Sequence, residues 1–209
     1  MEIVRPLEHG ITEVVRRCSA ALLRGDIIAF PTETFYGLGA KYDSHASLER
    51  LYAIKNRPRH KAMPLIIGQR KLLKMIAESV PPAAERLMDR FWPGPLTLIL
   101  PAKDGLSQYL TAGTGSVAVR IPGSSFAQTL ASALEFPITA TSANITTLPP
   151  ADSLEAVVRY FDAHIDAIID CGRTPGMLPS TIVNTTGEKP VIVRHGVIPA
   201  EEIFRALQG

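Results

Sequence analysis

Apolar residues recur at helical spacing over residues 12–24, where Val14, Val15, Cys18, Ala21 and Leu22 share one face and Gly25 stands where helices commonly end. The apolar run 26–30 predicts a short buried strand. It opens into Pro31-Thr32-Glu33-Thr34-Phe35-Tyr36-Gly37-Leu38-Gly39, whose proline, hydroxyls and glycines suit a turn at a strand end. Leu48, Leu51, Tyr52 and Ile54 lie on one face of a further helix that Ser44 or Ser47 is suited to cap. Residues 64–67 read as a strand and 69–78 and 81–91 as helices. The rigid turn Trp92-Pro93-Gly94-Pro95, with Trp92 as a core anchor, feeds an apolar strand over 96–100. A glycine-containing segment, 111–115, leads to a strand over 116–120. Ser124 is placed to cap a helix reaching 134, and a strand over 137–141 runs into Ser142-Ala143-Asn144. A helix over 153–161, an extended 167–170, strands at 179–183 and 191–194 joined by a turn at Thr186-Gly187-Glu188, and a helix over 199–207 follow. Strands alternating with helices predict an α/β fold.

Composition fits that pattern: 209 residues, 46% apolar and 20% charged, can build a sizeable core. The net charge of +2 excludes a general nucleic-acid coating protein, whose footprint is a strongly basic domain. Cys18 and Cys171 are far apart with no CxxC pairing, which suggests reduced thiols in the core and no thiolate metal site. No apolar run reaches the roughly 18 residues of a membrane span. Glu2, Arg5 and Glu8 interrupt the N-terminus where a signal peptide would be apolar. A cytoplasmic protein is therefore expected.

Charge is not evenly spread. From Arg50 to Lys74 there are eight Lys or Arg residues and no Asp or Glu. Such a stretch attracts phosphates, although charge runs also serve as solvated loops. Within it Arg57 precedes Pro58, which biases it toward extended backbone. Lys55 and Arg57 would then leave one side of the loop and could grip one ligand together. Arg120, at the end of an apolar strand, calls for a carboxylate or phosphate partner. The Ser142-Ala143-Asn144 triplet fits either ligand binding or turn capping. There is no G-x-x-x-x-G-K-[ST] loop, no G-x-G-x-x-G after a strand, no H-E-x-x-H and no G-x-S-x-G, and the five histidines are scattered as surface or loop residues. A bound nucleotide would have to be held by basic side chains.

Pro31-Thr32-Glu33-Thr34 with Tyr36-Gly37-Leu38-Gly39, Lys55-x-Arg57, Trp92-Pro93-Gly94-Pro95-Leu96-Thr97, Val117-Ala118-Val119-Arg120 with Pro122, Ser142-Ala143-Asn144 and Pro179-Ser180-Thr181-Ile182 occur in this order over nearly the whole chain. In this the sequence resembles the YrdC/YwlC family of threonylcarbamoyl-AMP synthases. The resemblance implies a single YrdC-like domain over 1–209, built on a twisted mixed β-sheet flanked by helices. It implies condensation of L-threonine, bicarbonate and ATP into threonylcarbamoyl-AMP and pyrophosphate, for a downstream tRNA threonylcarbamoyl transferase complex. By the same resemblance Lys55 and Arg57 would hold the triphosphate and be catalytic. Ser116, Ser142, Asn144 and Arg194 would complete the ATP site, and Thr32, Arg120 and Ser180 would hold threonine. Mg2+ would come with ATP, held mainly by phosphate oxygens and not by a protein cage. Two positions depart from the family pattern: Gly68, where relatives often carry histidine, removes a possible donor from the amino-acid pocket, and Ile145-Thr146-Thr147 stands where many continue with Ser-Gly. Two other readings stay open: double-stranded RNA binding through a basic cleft, and an ATP-dependent carbamoyl-adenylate enzyme with a different amine acceptor.

Overall fold

The computed structural model describes residues 1–176 and 178–208. The chain opens with β1 (Glu2–Val4) and the one-turn helix α1 (Pro6–His9), elements too short to show a period in the sequence. Helix α2 (Ile11–Arg24) buries the five expected residues and ends at Gly25, whose φ of 90° lets its N–H reach the Ala21 and Leu22 carbonyls. Strands β2 (Ile28–Pro31) and β3 (Tyr36–Gly39) form an antiparallel hairpin with Ile28 opposite Gly39. The Phe30 ring lies over Gly39, where a Cβ would stand 2.5 Å from it, so only glycine fits there. Helix α3 (His45–Ile54) starts after Ser44, whose hydroxyl bonds the Ser47 hydroxyl at 2.6 Å and leaves the helix backbone uncapped by either side chain.

Strand β4 (Leu65–Ile66) is followed by residues 70–75, expected as an α-helix but wound as a 3-10 helix. Helix α4 (Pro82–Phe91) leads through Trp92 to β5 (Leu96–Pro101). Trp92 is buried and its indole N–H donates to the Leu96 carbonyl at 2.7 Å, as suits a core anchor. The one-turn α5 (Gln108–Thr111) is too short to show a period in the sequence, and β6 (Ser116–Arg120) forms as its apolar pattern predicts. Helix α6 (Phe126–Ala133) is capped by Ser125, not by Ser124, through the Gln128 N–H. The expected strand over 137–141 is two strands, β7 (Ile138–Thr139) and β8 (Thr141–Ser142). Helix α7 (Leu154–Phe161), β9 (Ala167–Ile169), the antiparallel pair β10 (Thr181–Asn184) and β11 (Val191–Arg194), and α8 (Ala200–Gln208) complete the fold.

The α/β class stands, with the strands shared between two mixed sheets. One runs β1-β9-β2-β3-β8 and the other β11-β10-β5-β6-β4-β7. The chain passes from one to the other at Ala140: Thr139 pairs with Leu65 in the second sheet and Thr141 with Leu38 in the first. Thr139 stitches the crossing, donating its hydroxyl to the Leu38 carbonyl and accepting from the Ala40 N–H. Its burial is complete, and both hydroxyl valences are met, so the polar group is not left unpaired. One core cluster packs Tyr36, Leu38, Leu65, Leu98, Val119 and Trp92, and another packs α2 and α6 through Val14, Leu22, Phe30, Ile66 and Leu130. Cys18 is buried as expected, but Cys171 is exposed. All five histidines are exposed.

Candidate active site

Where the hairpin turn of β2 and β3 and strand β8 meet the open faces of β5, β6 and β10, they enclose a cleft of about 420 Å³. Thr32, Arg57, Arg120, Ser142, Ser180 and Arg194 line it, and no Asp or Glu does. Six of the nine expected site residues thus come together from segments spread across the sequence. Lys55, Ser116 and Asn144 do not line the cleft. A larger cavity of about 780 Å³, bordered by His45, Arg59 and Tyr109, contains none of the nine.

The basic loop differs from the extended form expected of it. Lys55 is in helical backbone (φ −86°, ψ −7°) and Asn56 is left-handed at φ 48°. Both cations nevertheless converge on one stretch. The buried Lys55 ammonium donates to the carbonyls of Ser142 and, at 2.6 Å, Asn144. Burial first, then the charge of Arg57, push its pKa down to about 7, against carbonyl oxygens that favour the ammonium. Arg57 donates to the Lys61 and Ala62 carbonyls at 2.8 and 2.7 Å and approaches the Thr141 hydroxyl at 3.4 Å. The loop's charge is also partly compensated by acids distant in sequence: Arg50 pairs with Asp166, Arg70 with Asp89 and Lys71 with Glu135. Arg59 and Lys61 remain exposed.

The Ser142 hydroxyl donates to Asn144 Oδ1 at 2.6 Å, and Asn144 Nδ2 donates to the carbonyls of Ile145 and Leu148. In this state the asparagine amide serves the loop itself. Thr146 donates its N–H to the Lys55 carbonyl, and Thr147 is held at φ 79°.

On the opposite wall the Thr32 hydroxyl donates to the Phe35 carbonyl at 2.8 Å and accepts from the Thr34 N–H, which fixes the turn. Arg120 is buried at the end of β6 and donates to Glu33 Oε1 at 2.6 Å. Arg194 donates twice to the Ser180 carbonyl and once to its hydroxyl, which also bonds Thr97. Desolvation lowers the pKa of Arg57, Arg120 and Arg194 alike; the Glu33 charge opposes it at Arg120, and the Arg120 charge adds to it at Arg194. Ser116 lies on the cleft-facing side of β6 but about 13 Å along the strand from Arg120, with its hydroxyl on Thr114.

Gly68 does not belong to this pocket. A Cβ there would meet the Ala131 carbonyl at 2.2 Å, so the residue is glycine because β4 runs directly onto the backbone of α6. The sequence motif contained Glu33 without giving it a role; its one visible signal was a carboxylate set between two threonines that a strand-end turn buries. Among the described residues no group of three or more His, Cys, Asp or Glu side chains could hold a metal ion.

The Sua5/YciO/YrdC family model, described as telomere recombination, matches residues 20–196. The chain is 38% identical over 208 residues to the threonylcarbamoyl-AMP synthase of Pyrococcus abyssi, covering 99% of this chain and 61% of that one. It is 40% identical over 187 residues to the threonylcarbamoyl-AMP synthase of Bacillus subtilis, covering 88% and 54%. Its structure matches that of Pyrococcus abyssi Sua5 complexed with L-threonine with a TM-score of 0.91, at 37% identity over 98% of this chain and 60% of that one. The chain therefore spans 54–61% of the length of these relatives. A match from residue 20 to residue 196, with identity of this order along nearly all of the chain, shows that the protein belongs to the Sua5/YciO/YrdC family.

Proposed function

We propose that the chain is an L-threonylcarbamoyladenylate synthase, acting as one YrdC-like unit on L-threonine, bicarbonate and ATP. The observation that carries this reading is the cleft in which Arg57, Arg120 and Arg194 face the hydroxyls of Thr32, Ser142 and Ser180 with no acidic residue in its lining. Three guanidinium groups, Arg120 buried, Arg57 half-buried and Arg194 exposed, fit a ligand set of several anions: a carboxylate, a carbamate and a triphosphate. The reaction joins a carbamate oxygen to the α-phosphate as pyrophosphate leaves. Positioning and charge neutralisation suffice for such a step, and no protein nucleophile is needed. Arg120 and Ser180 would hold the threonine carboxylate and hydroxyl beside Thr32. Arg57 and Arg194 would take phosphate oxygens, with Ser142 at the nucleotide and Ser116 and Asn144 at its outer limit. Lys55 would join them by exchanging its carbonyl partners for phosphate. A magnesium ion would be held by phosphate oxygens and water.

Among the described residues no helix is long and apolar enough to cross a membrane. A cytoplasmic location, and delivery of the adenylate to a tRNA-modifying complex, are part of the same proposal. The test is pyrophosphate release with each substrate omitted in turn. Release that requires threonine, bicarbonate and ATP together is expected. Release that proceeds equally with another amine, or without bicarbonate, would overturn the assignment.

A further inference from the structure

Glu33 carries the one buried side-chain oxygen or nitrogen among the described residues that lacks a hydrogen-bond partner, its Oε2. The other oxygen, Oε1, accepts from Arg120 at 2.6 Å. An unpaired carboxylate oxygen out of water is costly, and in a native structure it calls for an absent donor. The turn that presents it is rigid: the Thr32 hydroxyl ties Thr32 to Phe35 and Thr34. The stem of Glu33 lies near Gly123, where an added Cβ would stand at ordinary contact distance, 3.5 Å, from its Cγ. Arg120 spends one N–H on Glu33 and borders the cleft, so most of its five donors remain for a ligand.

We propose that Glu33 is a specificity-determining residue that accepts a hydrogen bond from the α-amino group of the amino-acid substrate, while Arg120 binds that substrate's carboxylate. This deepens the reading of the cleft as a threonine site and rests on it. The two charges of a zwitterionic amino acid are separated by a single carbon, and Glu33 and Arg120 offer the complementary charges in direct contact. Glu33 keeps 14% of its side chain exposed but Oε2 itself is buried, so the carboxyl group has to turn for a ligand to reach it. The torsion at its carboxyl group is broad and two-fold, which lets the free oxygen turn toward a ligand without moving the turn. The charged groups that line the cleft are all cations, and Glu33 reaches it only through its pairing with Arg120. A carboxylate paired with one of these cations would favour an amino acid over a hydroxy acid of the same shape.

The experiment titrates the full chain, wild type and Glu33→Gln, with L-threonine and with 3-hydroxybutanoate of the same configuration at C3, which keeps carboxylate and hydroxyl and lacks the amine. Glu33→Gln should weaken threonine by about tenfold to a hundredfold, the value of a charge-assisted hydrogen bond, and change 3-hydroxybutanoate little. The ratio of the two affinities is the readout. Equal weakening of both ligands would show that Glu33 acts only by holding Arg120, and unchanged threonine affinity would take it out of the site; either overturns the proposal alone. A wild-type chain that binds ATP but not threonine would overturn the acceptor reading along with it. Glu33→Asp, which retains the charge on a shorter stem, gives the same ratio test if the glutamine variant does not fold, with an intermediate loss expected.

Discussion

The ammonium of Lys55 sits 2.6 Å from the carbonyl oxygen of Asn144 and also donates to the Ser142 carbonyl, tying the end of α3 to the loop that follows β8. Both acceptors are main-chain atoms, so the tie depends on the path of the loop and not on its side chains. A residue read from sequence as a phosphate ligand is also the fastener of one wall of the cleft.

Its titration follows from that position. Burial and the Arg57 charge lower the Lys55 pKa from 10.5 to about 7, so between those values the folded state binds fewer protons than the unfolded one. The stability due to neutral Lys55 is complete above the unfolded value and is lost as pH falls through the folded one. Denaturant titrations across this interval should show stability rising with pH, and Lys55→Met should flatten the rise; an unchanged slope would exclude Lys55 as its source. A triphosphate beside Lys55 would restore the charge. ATP binding at about pH 8 should then take up a proton, seen by calorimetry in buffers of different ionisation enthalpy and absent in Lys55→Met.

Arg120→Ala should abolish threonine binding and leave ATP binding within a few-fold, because Arg57 and Arg194 are untouched. It also strands Glu33, whose pairing with Arg120 is among the most buried ion pairs of the protein. A stability loss of about 3 kcal/mol is expected. Adding Glu33→Gln should recover part of the stability but none of the threonine binding. Chemical denaturation and separate titrations of the two ligands decide the matter.

Thr147 holds a left-handed φ of 79°, a conformation that costs a β-branched residue on the order of 1–3 kcal/mol. Thr147→Gly should raise stability by about 1 kcal/mol once the greater freedom of glycine in the unfolded chain is deducted. A lower melting temperature would mean that Thr147 makes contacts worth more than its strain.

Gly68→Ala should cost about 3 kcal/mol, since the added methyl would stand 2.2 Å from the Ala131 carbonyl and neither β4 nor α6 can easily give way. Threonine affinity per folded molecule should stay unchanged, which separates a packing role from a binding one. A selective loss of threonine binding in a protein of normal stability would return Gly68 to the pocket.

How much of this was legible in the sequence depended on range. Helix α2 and strands β2 and β5 declared themselves because their apolar spacing is local. The family motifs contained Arg57, Arg120 and Ser180, and the resemblance added Arg194; the fold does gather these four. What stayed hidden was pairing between distant segments. Residues 137–141 look like one strand until Leu65 claims Thr139 and Leu38 claims Thr141. Glu33 and Arg120 are 87 positions apart, and nothing local to either reveals the other. Gly68 read as a missing side chain in the pocket, whereas its reason is the backbone of α6.

The crossing at Ala140 also bears on how the protein moves. Strands β7 and β8 are separated by this one residue, so the walls of the cleft share a floor made of continuous peptide, bolted across by Thr139. Two lobes on a flexible linker can swing like a clamshell, but a notch cut into a single piece cannot. Any substrate of the cleft would therefore meet an aperture whose base is spanned by continuous chain. Any gating falls to the rim, where the turn at Thr32 and the loop fastened by Lys55 are held by a handful of hydrogen bonds, and the overall dimensions of the particle in solution should be the same with and without ligand.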